Sequence, residues 1–193
     1  MTAMKHPQTF PNQTALLHAI LGLIKVYGWK DLNLNDIIRY LEMSPAELYH
    51  FFPTKLSILK AFFQHVDQRT LAHLEHFEPN EPPRNRLFSV IMTRFDVLND
   101  YKPLISELSY QGWKDITLIS KILPQSLNAL TWLLEASEVD TSELLGVIRL
   151  KIFAVFYGAT VLTWLKDDTP DMASTMACLD KGIEKLSQIP GFF

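Results

Sequence analysis

The sequence predicts an all-helical protein of about nine helices: a small three-helix module followed by a larger helical domain. Three observations carry that prediction. Apolar residues recur at spacings of three and four along most of the chain, the period of a helix with one buried face. Helix-start signals stand where those runs begin, at Asn33, at Ser44-Pro45, at Thr54 and at Thr169-Pro170. Glycine is scarce, 7 residues against 12 phenylalanines, which is poor material for a turn-rich β protein.

The elements follow in order. Residues 1–10 carry no period and read as a loose arm. From Gln13 to Tyr27, Leu16, Leu17, Ile20, Leu23, Ile24 and Tyr27 fall on one helical face, and Gly28 ends the run. A short second helix fits Leu34 to Leu41, with Asn33 as its cap and Asp36 in the first turn, where a carboxylate suits the positive helix end. Ser44-Pro45-Ala46-Glu47 opens a third: serine caps, proline takes the first helical position, and Glu47 can reach back to close a capping box. That helix ends near Phe52, because Pro53 pushes the residue before it out of helical geometry.

Thr54 caps a long fourth helix through Leu56, Leu59, Phe62, Phe63, Val66 and Leu74. The loop Glu78-Pro79-Asn80-Glu81-Pro82-Pro83 is the clearest internal punctuation. Helical patterns then fill Arg84–Asn99, Lys102–Tyr110, Ile116–Ala136, Ser142–Lys166 and Pro170–Gln188, with Pro124 expected to kink or split its helix. The domain expectation is a helix-turn-helix module over 1–55 and a ligand-binding and dimerisation domain over 56–193.

Bulk properties bound the function. An apolar content of 48% excludes a disordered polymer, and the single cysteine, Cys178, can form no internal disulfide. No secretion-signal pattern opens the chain, so the expected compartment is the cytoplasm. The longest uncharged apolar stretch, Ile152 to Leu165, has 14 residues, short of the roughly 18 to 20 that span hydrocarbon, so no membrane span is expected. A net charge of −3 gives no global attraction for nucleic acid, and any DNA contact must be local.

Three helices with a tight connection at Glu42-Met43-Ser44 match a helix-turn-helix, whose second helix enters the major groove with its leading end. The stretch Asp36-Ile37-Ile38, then Met43-Ser44, then Leu48-Tyr49-His50-Phe51-Phe52-Pro53-Thr54-Lys55 resembles the DNA-binding domain of the TetR family of repressors, over residues 10 to 60. The resemblance implies a homodimer with two DNA-reading heads on a double-stranded operator, and a carboxy-terminal domain that takes a small apolar inducer. It also implies a DNA surface of Asn33, Ser44, Pro45, Ala46, Tyr49, His50 and Lys55. Tyr49 and His50 would touch backbone or bases, Lys55 would hold a phosphate, Ser44 would cap the recognition helix, and Leu48 and Phe52 would anchor it. The competing reading of the aromatic residues is that they pack.

Departures from that pattern bear on affinity. Glu42 stands at the turn position where the family prefers glycine, Pro45 where a basic residue often opens the recognition helix, and Glu47 where a small hydroxyl residue is usual. Two carboxylates thus sit where a polyanion would dock, although a glutamate can accept from cytosine N4. Residues 1 to 55 carry a margin of only plus one in formal charge.

In the second half, Trp164-Leu165-Lys166-Asp167-Asp168-Thr169-Pro170-Asp171, then Thr175 and Leu179-Asp180, resembles the tail of the COQ9 family, which shares the TetR fold. That resemblance implies an alternative function, a lipid- or isoprenoid-binding accessory protein with a relic helix-turn-helix. The physical alternative is plain capping: Thr169 caps, Pro170 takes the first position and Asp171 complements the dipole.

The helix Ser142–Lys166 is apolar on nearly every side from Ile152 to Leu165 and needs a cover. A two-fold partner would supply it in a four-helix interface, with Phe156, Ala159, Leu162, Thr163, Met172, Thr175, Met176 and Leu179 as candidates; burial within one subunit is the competing explanation. Candidate cavity-lining residues are Met92, Phe95, Trp113, Leu118, Ile122, Trp132, Phe153, Phe156 and Tyr157, of which many will be ordinary core. Between Leu118 and Leu134 only Lys121 is ionised, so an apolar small molecule or lipid is expected over a charged ligand.

His65, His73 and His76, with Glu75, lack the cysteine or carboxylates that would complete a metal shell. No phosphate loop, nucleophile elbow or paired carboxylates appear. No cofactor, metal or catalytic residue is expected, and the protein reads as a non-enzyme.

Overall fold

A computed structural model describes residues 10–73, 80–112 and 116–193. Among them are nine helices and no strand: α1 (Gln13–Tyr27), α2 (Leu34–Tyr40), α3 (Pro45–Phe51), α4 (Lys55–Ala72), α5 (Pro83–Asn99), α6 (Lys102–Gly112), α7 (Ile116–Ala136), α8 (Glu143–Leu165) and α9 (Ala173–Ser187).

Capping chemistry sets the boundaries. Asn12 Oδ1 accepts from Ala15 N at 2.8 Å to start α1, and Gly28, at φ +82°, ends it. At α2, Asn33 and Asp36 exchange side-chain bonds in a full capping box. At α3, Ser44 Oγ accepts from Glu47 N at 3.1 Å, but the Glu47 carboxylate goes to the backbone N–H of Phe10, 3.0 Å away. The expected box at α3 therefore becomes a tie to the residue ahead of α1. Thr54 Oγ1 accepts from Ser57 N and Ser57 Oγ accepts from Thr54 N, a reciprocal cap for α4.

Two sequence expectations need correction. Pro124 neither splits nor interrupts α7, which is one continuous helix through it. α9 begins at Ala173 and not at Pro170, because Pro170 and Asp171 form a turn and Met172 adopts a left-handed φ of +53°. Thr169 Oγ1 still serves the helix start, accepting from Ala173 N at 3.0 Å. Buried Asp167 accepts from the hydroxyl of Thr169 at 2.5 Å and from both N and Oγ1 of Thr175 at 2.7 Å. Those bonds, from Thr169 first, hold the Asp167 carboxyl well below the usual range against the effect of burial.

The described residues form two compact units. The first runs up to Gln64 and takes in α6 from Pro103; the second holds His65–Lys102 and the chain from Ile116 to Phe193. This division differs from a boundary at residue 55, because α4 contributes to both units and α6 belongs with the first. The core of the first unit is built from Leu16, Ile20, Leu32, Ile37, Leu48, Phe52, Ile58 and Phe62, each essentially inaccessible.

In the second unit α8 packs on α7 and α9, and α5 on α7 and α9. By length and composition α8, 23 residues long, is apolar enough to cross a membrane, because the helix extends past the uncharged stretch to Glu143. Arg149, on its first half, is tied to the protein: its Nε donates to Gly191 O at 2.6 Å and its Nη1 to Asp140 O at 2.7 Å.

Candidate nucleic-acid interface

α3 is short and its two faces differ sharply. Leu48 is 2% exposed and Phe52, just past the helix, is fully buried, so both grip the core as the sequence implies. Pro45, Ala46, Tyr49 and His50 are exposed, with Tyr49 at 69%. An exposed tyrosine beside an exposed histidine in the last turn of a capped helix offers hydroxyl and imidazole donors without a backbone rearrangement. His50 is braced edge-on by Phe51, ring centroids 5.0 Å apart. Gln13 Nε2 donates to Phe51 O at 3.2 Å, so the start of α1 holds the end of α3. Ser44 is half-buried and engaged as the cap, and Asn33 is exposed at the start of α2.

Lys55 stands differently from the phosphate-holding role expected of it. Its ammonium donates to the backbone carbonyls of Trp29 and, at 3.3 Å, Lys30, and lies 4.5 Å from the centroid of the Trp29 indole. Desolvation lowers its pKa, opposed by the negative charge of Glu107, Asp31 and Asp36. Its charge is engaged with backbone and indole of the first unit.

In the turn before α3, where the sequence has no glycine, Glu42 holds a left-handed φ of +50°. Beside α2, Tyr27 and Tyr40 stack with centroids 4.5 Å apart and 13° between planes, and Arg39 sits 5.4 Å from the Tyr40 ring centroid. A hydrogen bond and the charge of Tyr40 raise the Tyr27 hydroxyl's pKa.

In the second unit the expected ligand residues differ in burial. Phe95 and Phe153 are fully buried; Phe95 stacks on Tyr157 at 5.9 Å and on Trp164 at 5.4 Å, and Phe153 lies 6.1 Å from Phe156 and 6.2 Å from Tyr157. Met92, Leu118 and Ile122 are half-buried, as are Phe156 and Tyr157. Trp132 is on the surface, 63% exposed, and Trp113 lies outside the described residues. An open cavity of about 470 Å³ does exist between α5 and α9, lined by Glu81, Arg84, Asn85, Phe88, Met176 and Asp180 among others. Of the expected residues, Met176 alone reaches it, and that one was placed at a dimer interface.

The interface candidates divide. Leu179 and Thr175 are fully inaccessible and Met172 is 6% exposed, so these three belong to the chain's own packing and have no surface for a partner. Phe156 is half-buried; a Cβ at Gly182 would fall within its ring, which shows how closely α8 and α9 approach there. Thr163 Oγ1 donates to Ala159 O at 3.2 Å, and Met176 is half-buried. Ala159 and Leu162 remain exposed, and with Leu144, Ile148, Val155 and Gly158 they form a stripe along α8 at spacings of three, four and seven.

Sequence reasoning missed two constellations. Buried Arg94 donates from Nε to the Tyr157 hydroxyl at 3.0 Å, and its Nη1 lies 2.6 Å from Asp67 Oδ1 at an angle too bent for a hydrogen bond. Burial opposes charge at both groups. At Asp67 it wins and pushes the carboxyl up; at Arg94 the pull of Tyr157 and Asp67 wins and raises the guanidinium. A guanidinium does not release its proton, so Arg94 stays charged in the core. The signal was present, because Arg94 falls on the apolar stripe of Leu87, Ile91, Phe95 and Leu98. The second is Glu107 of α6, whose carboxylate accepts from Trp29 N at 2.8 Å and Lys30 N at 2.6 Å. No local pattern announces a partner 77 residues away.

Solved structures decide the architecture. A TetR transcriptional regulator from Nitrosomonas europaea superposes with a TM-score of 0.77 at 18% identity, covering 93% of this chain and 100% of that one. The chain has the TetR fold. A TetR-family regulator from Streptomyces coelicolor shares that fold with a TM-score of 0.64 at 19% identity, over 91% of this chain and 80% of its own. No protein-family model and no curated protein sequence matches the chain. Within the TetR fold, α2 and α3 are the helix-turn-helix that the Leu48 to Lys55 string pointed to.

Proposed function

We propose that this protein is a TetR-like transcriptional regulator that docks α3 in the major groove of operator DNA, binds as a homodimer, and responds to an apolar small molecule. The observation that carries this is the split of α3, with Leu48 and Phe52 locked in the core and Pro45, Ala46, Tyr49 and His50 presented outward on a TetR fold. Asn33, Ser44 and those four residues form the proposed DNA surface. The stripe Leu144, Ile148, Val155, Ala159 and Leu162 of α8 pairs with its copy in the dimer. Effector contacts fall to half-buried Met92, Leu118, Ile122, Phe156 and Tyr157, with Phe95 and Phe153 behind them. A bound effector then alters the fit of two heads to half-sites about 34–36 Å apart or multiples of that.

The test is a salt titration of binding to the promoter region beside the protein's own gene. Affinity should fall steeply with ionic strength; absence of binding at low salt overturns the reading.

A second reading, a COQ9-like lipid-binding accessory protein with a relic helix-turn-helix, is favoured by the carboxylates of Glu42 and Glu47 beside α3 and by the near-neutral charge of residues 1 to 55. Native mass spectrometry of freshly purified protein separates the two. A co-purifying lipid without operator binding selects the accessory role, and an empty protein that binds operator tightly excludes it.

A further inference from the structure

The turn between α1 and α2 is held in an unusual way. Trp29 and Lys30 present two N–H groups to one side and two carbonyls to the other. Glu107 of α6 takes both N–H groups, one on each carboxylate oxygen, at 2.8 and 2.6 Å. Lys55 at the start of α4 takes both carbonyls. Opposite charges thus satisfy all four backbone groups of two consecutive residues, and bonds to ionised partners are roughly twice as strong as neutral ones. The Trp29 indole, 6% exposed, lies under the Lys55 ammonium and closes the arrangement. All of these residues belong to the first compact unit.

We propose that Glu107 and Lys55 are positioning residues for the recognition helix: together they clamp the Trp29–Lys30 turn, fix where α2 starts at the Asn33 cap, and so set the attitude of α3. The proposal rests on the operator-binding reading. It also reassigns Lys55, whose ammonium is engaged with backbone and not offered to a phosphate. The two backbone bonds of Glu107 go to Trp29 and Lys30, neither of which belongs to the proposed DNA surface, so its replacement acts first on the turn.

The experiment uses the full chain and five variants: Lys55→Met, Lys55→Arg, Glu107→Ala, Glu107→Gln, and the double variant Lys55→Met with Glu107→Ala. Two readouts are taken: salt-dependent affinity for the promoter fragment, and residue-resolved amide exchange. Clamping predicts that Lys55→Met and Glu107→Ala each weaken DNA binding about tenfold with the salt slope unchanged, and that combining them costs little more than either alone, because both release one turn. The amides of Trp29 and Lys30 should exchange at least about tenfold faster in Glu107→Ala, with α5, α8 and α9 unaltered. Glu107→Gln, which keeps one acceptor oxygen and the side-chain shape, should fall between.

A phosphate-ligand role predicts the opposite pattern. Lys55→Met would then lower the salt slope by about one while leaving exchange at Trp29 and Lys30 untouched, Lys55→Arg would restore the slope, and Glu107→Ala would be silent on DNA. That pattern overturns the proposal. Should the unmodified protein bind no DNA at low salt, the operator reading fails by itself and exchange alone judges the clamp: acceleration in Glu107→Ala supports it, and unchanged exchange refutes it. Glu107→Gln decides the matter if the alanine variant does not fold.

Discussion

Replacing Asp67 by alanine removes the carboxylate that faces a guanidinium inside the second unit. Arg94 is 5% exposed, so its charge then has only the Tyr157 hydroxyl as a partner. Removing one member of a buried pair costs about 3–5 kcal/mol, because the remaining charge cannot regain its hydration. The Asp67 side chain keeps 20% exposure and its contact with Arg94 is bent, which places the expected loss near the lower end, about 3 kcal/mol. For a chain of this size that is a fall of about 6–12 °C in Tm.

The control is the double variant Asp67→Leu with Arg94→Met, in which neither charge is buried. Exchanging both members of a buried pair for apolar residues is often close to neutral, so the double variant should recover at least half of the loss. Urea unfolding followed by far-UV circular dichroism measures both. A loss under about 1 kcal/mol in Asp67→Ala, or a double variant as unstable as the sum of its singles, would refute the reasoning.

Three further outcomes are expected. Glu42→Gly should stabilise the protein by about 1 kcal/mol, since φ of +50° penalises a side chain that glycine lacks; an unchanged urea midpoint would show that the turn carries no such cost. Asp167→Asn should cost about 2 kcal/mol, because an amide cannot accept from Thr169 and Thr175 on both sides at once. The folded-state pKa of Asp167 is depressed, so its contribution is present above about pH 4 and is lost as the pH falls toward the folded value. Acid titration of Tm should therefore flatten in Asp167→Asn, and an identical acid limb would contradict that. Val155→Glu, at a position 77% exposed, should leave the single chain folded but shift sedimentation from dimer to monomer; a persistent dimer would move the interface off the α8 stripe.

Local chemistry was legible in the sequence wherever the cause is local. The helix Gln13–Tyr27 and the helix Ile116–Ala136 fall where periodicity places them, and Ser44, Asn33 and Thr54 cap as their residue types dictate. Pro124 does not split α7, because one proline removes a single backbone bond and the helix runs on to Ala136. The start of α9 was misplaced for a different reason: the Asp167 carboxylate binds Thr175 eight residues on and draws the chain into a turn first.

The site was half legible. That α3 turns Tyr49 and His50 outward follows from Leu48 and Phe52 facing in, a matter of helical period. That Lys55 bends toward Trp29 does not, since its partners come from other elements and Glu107 arrives from α6. The interface candidates divide because apolar side chains at helical spacing do not reveal whether their own chain or a second molecule covers them. Leu179, Thr175 and Phe153 are covered by their own chain; Val155 and Leu162 are not.

The central claim is that the exposed edge of α3 enters DNA, and titration of the promoter fragment against salt tests it most directly. The account predicts a linear fall of log affinity with log salt for the unmodified protein, and a large loss in Tyr49→Ala at unchanged fold. Equal, salt-insensitive or undetectable binding in both proteins would contradict it.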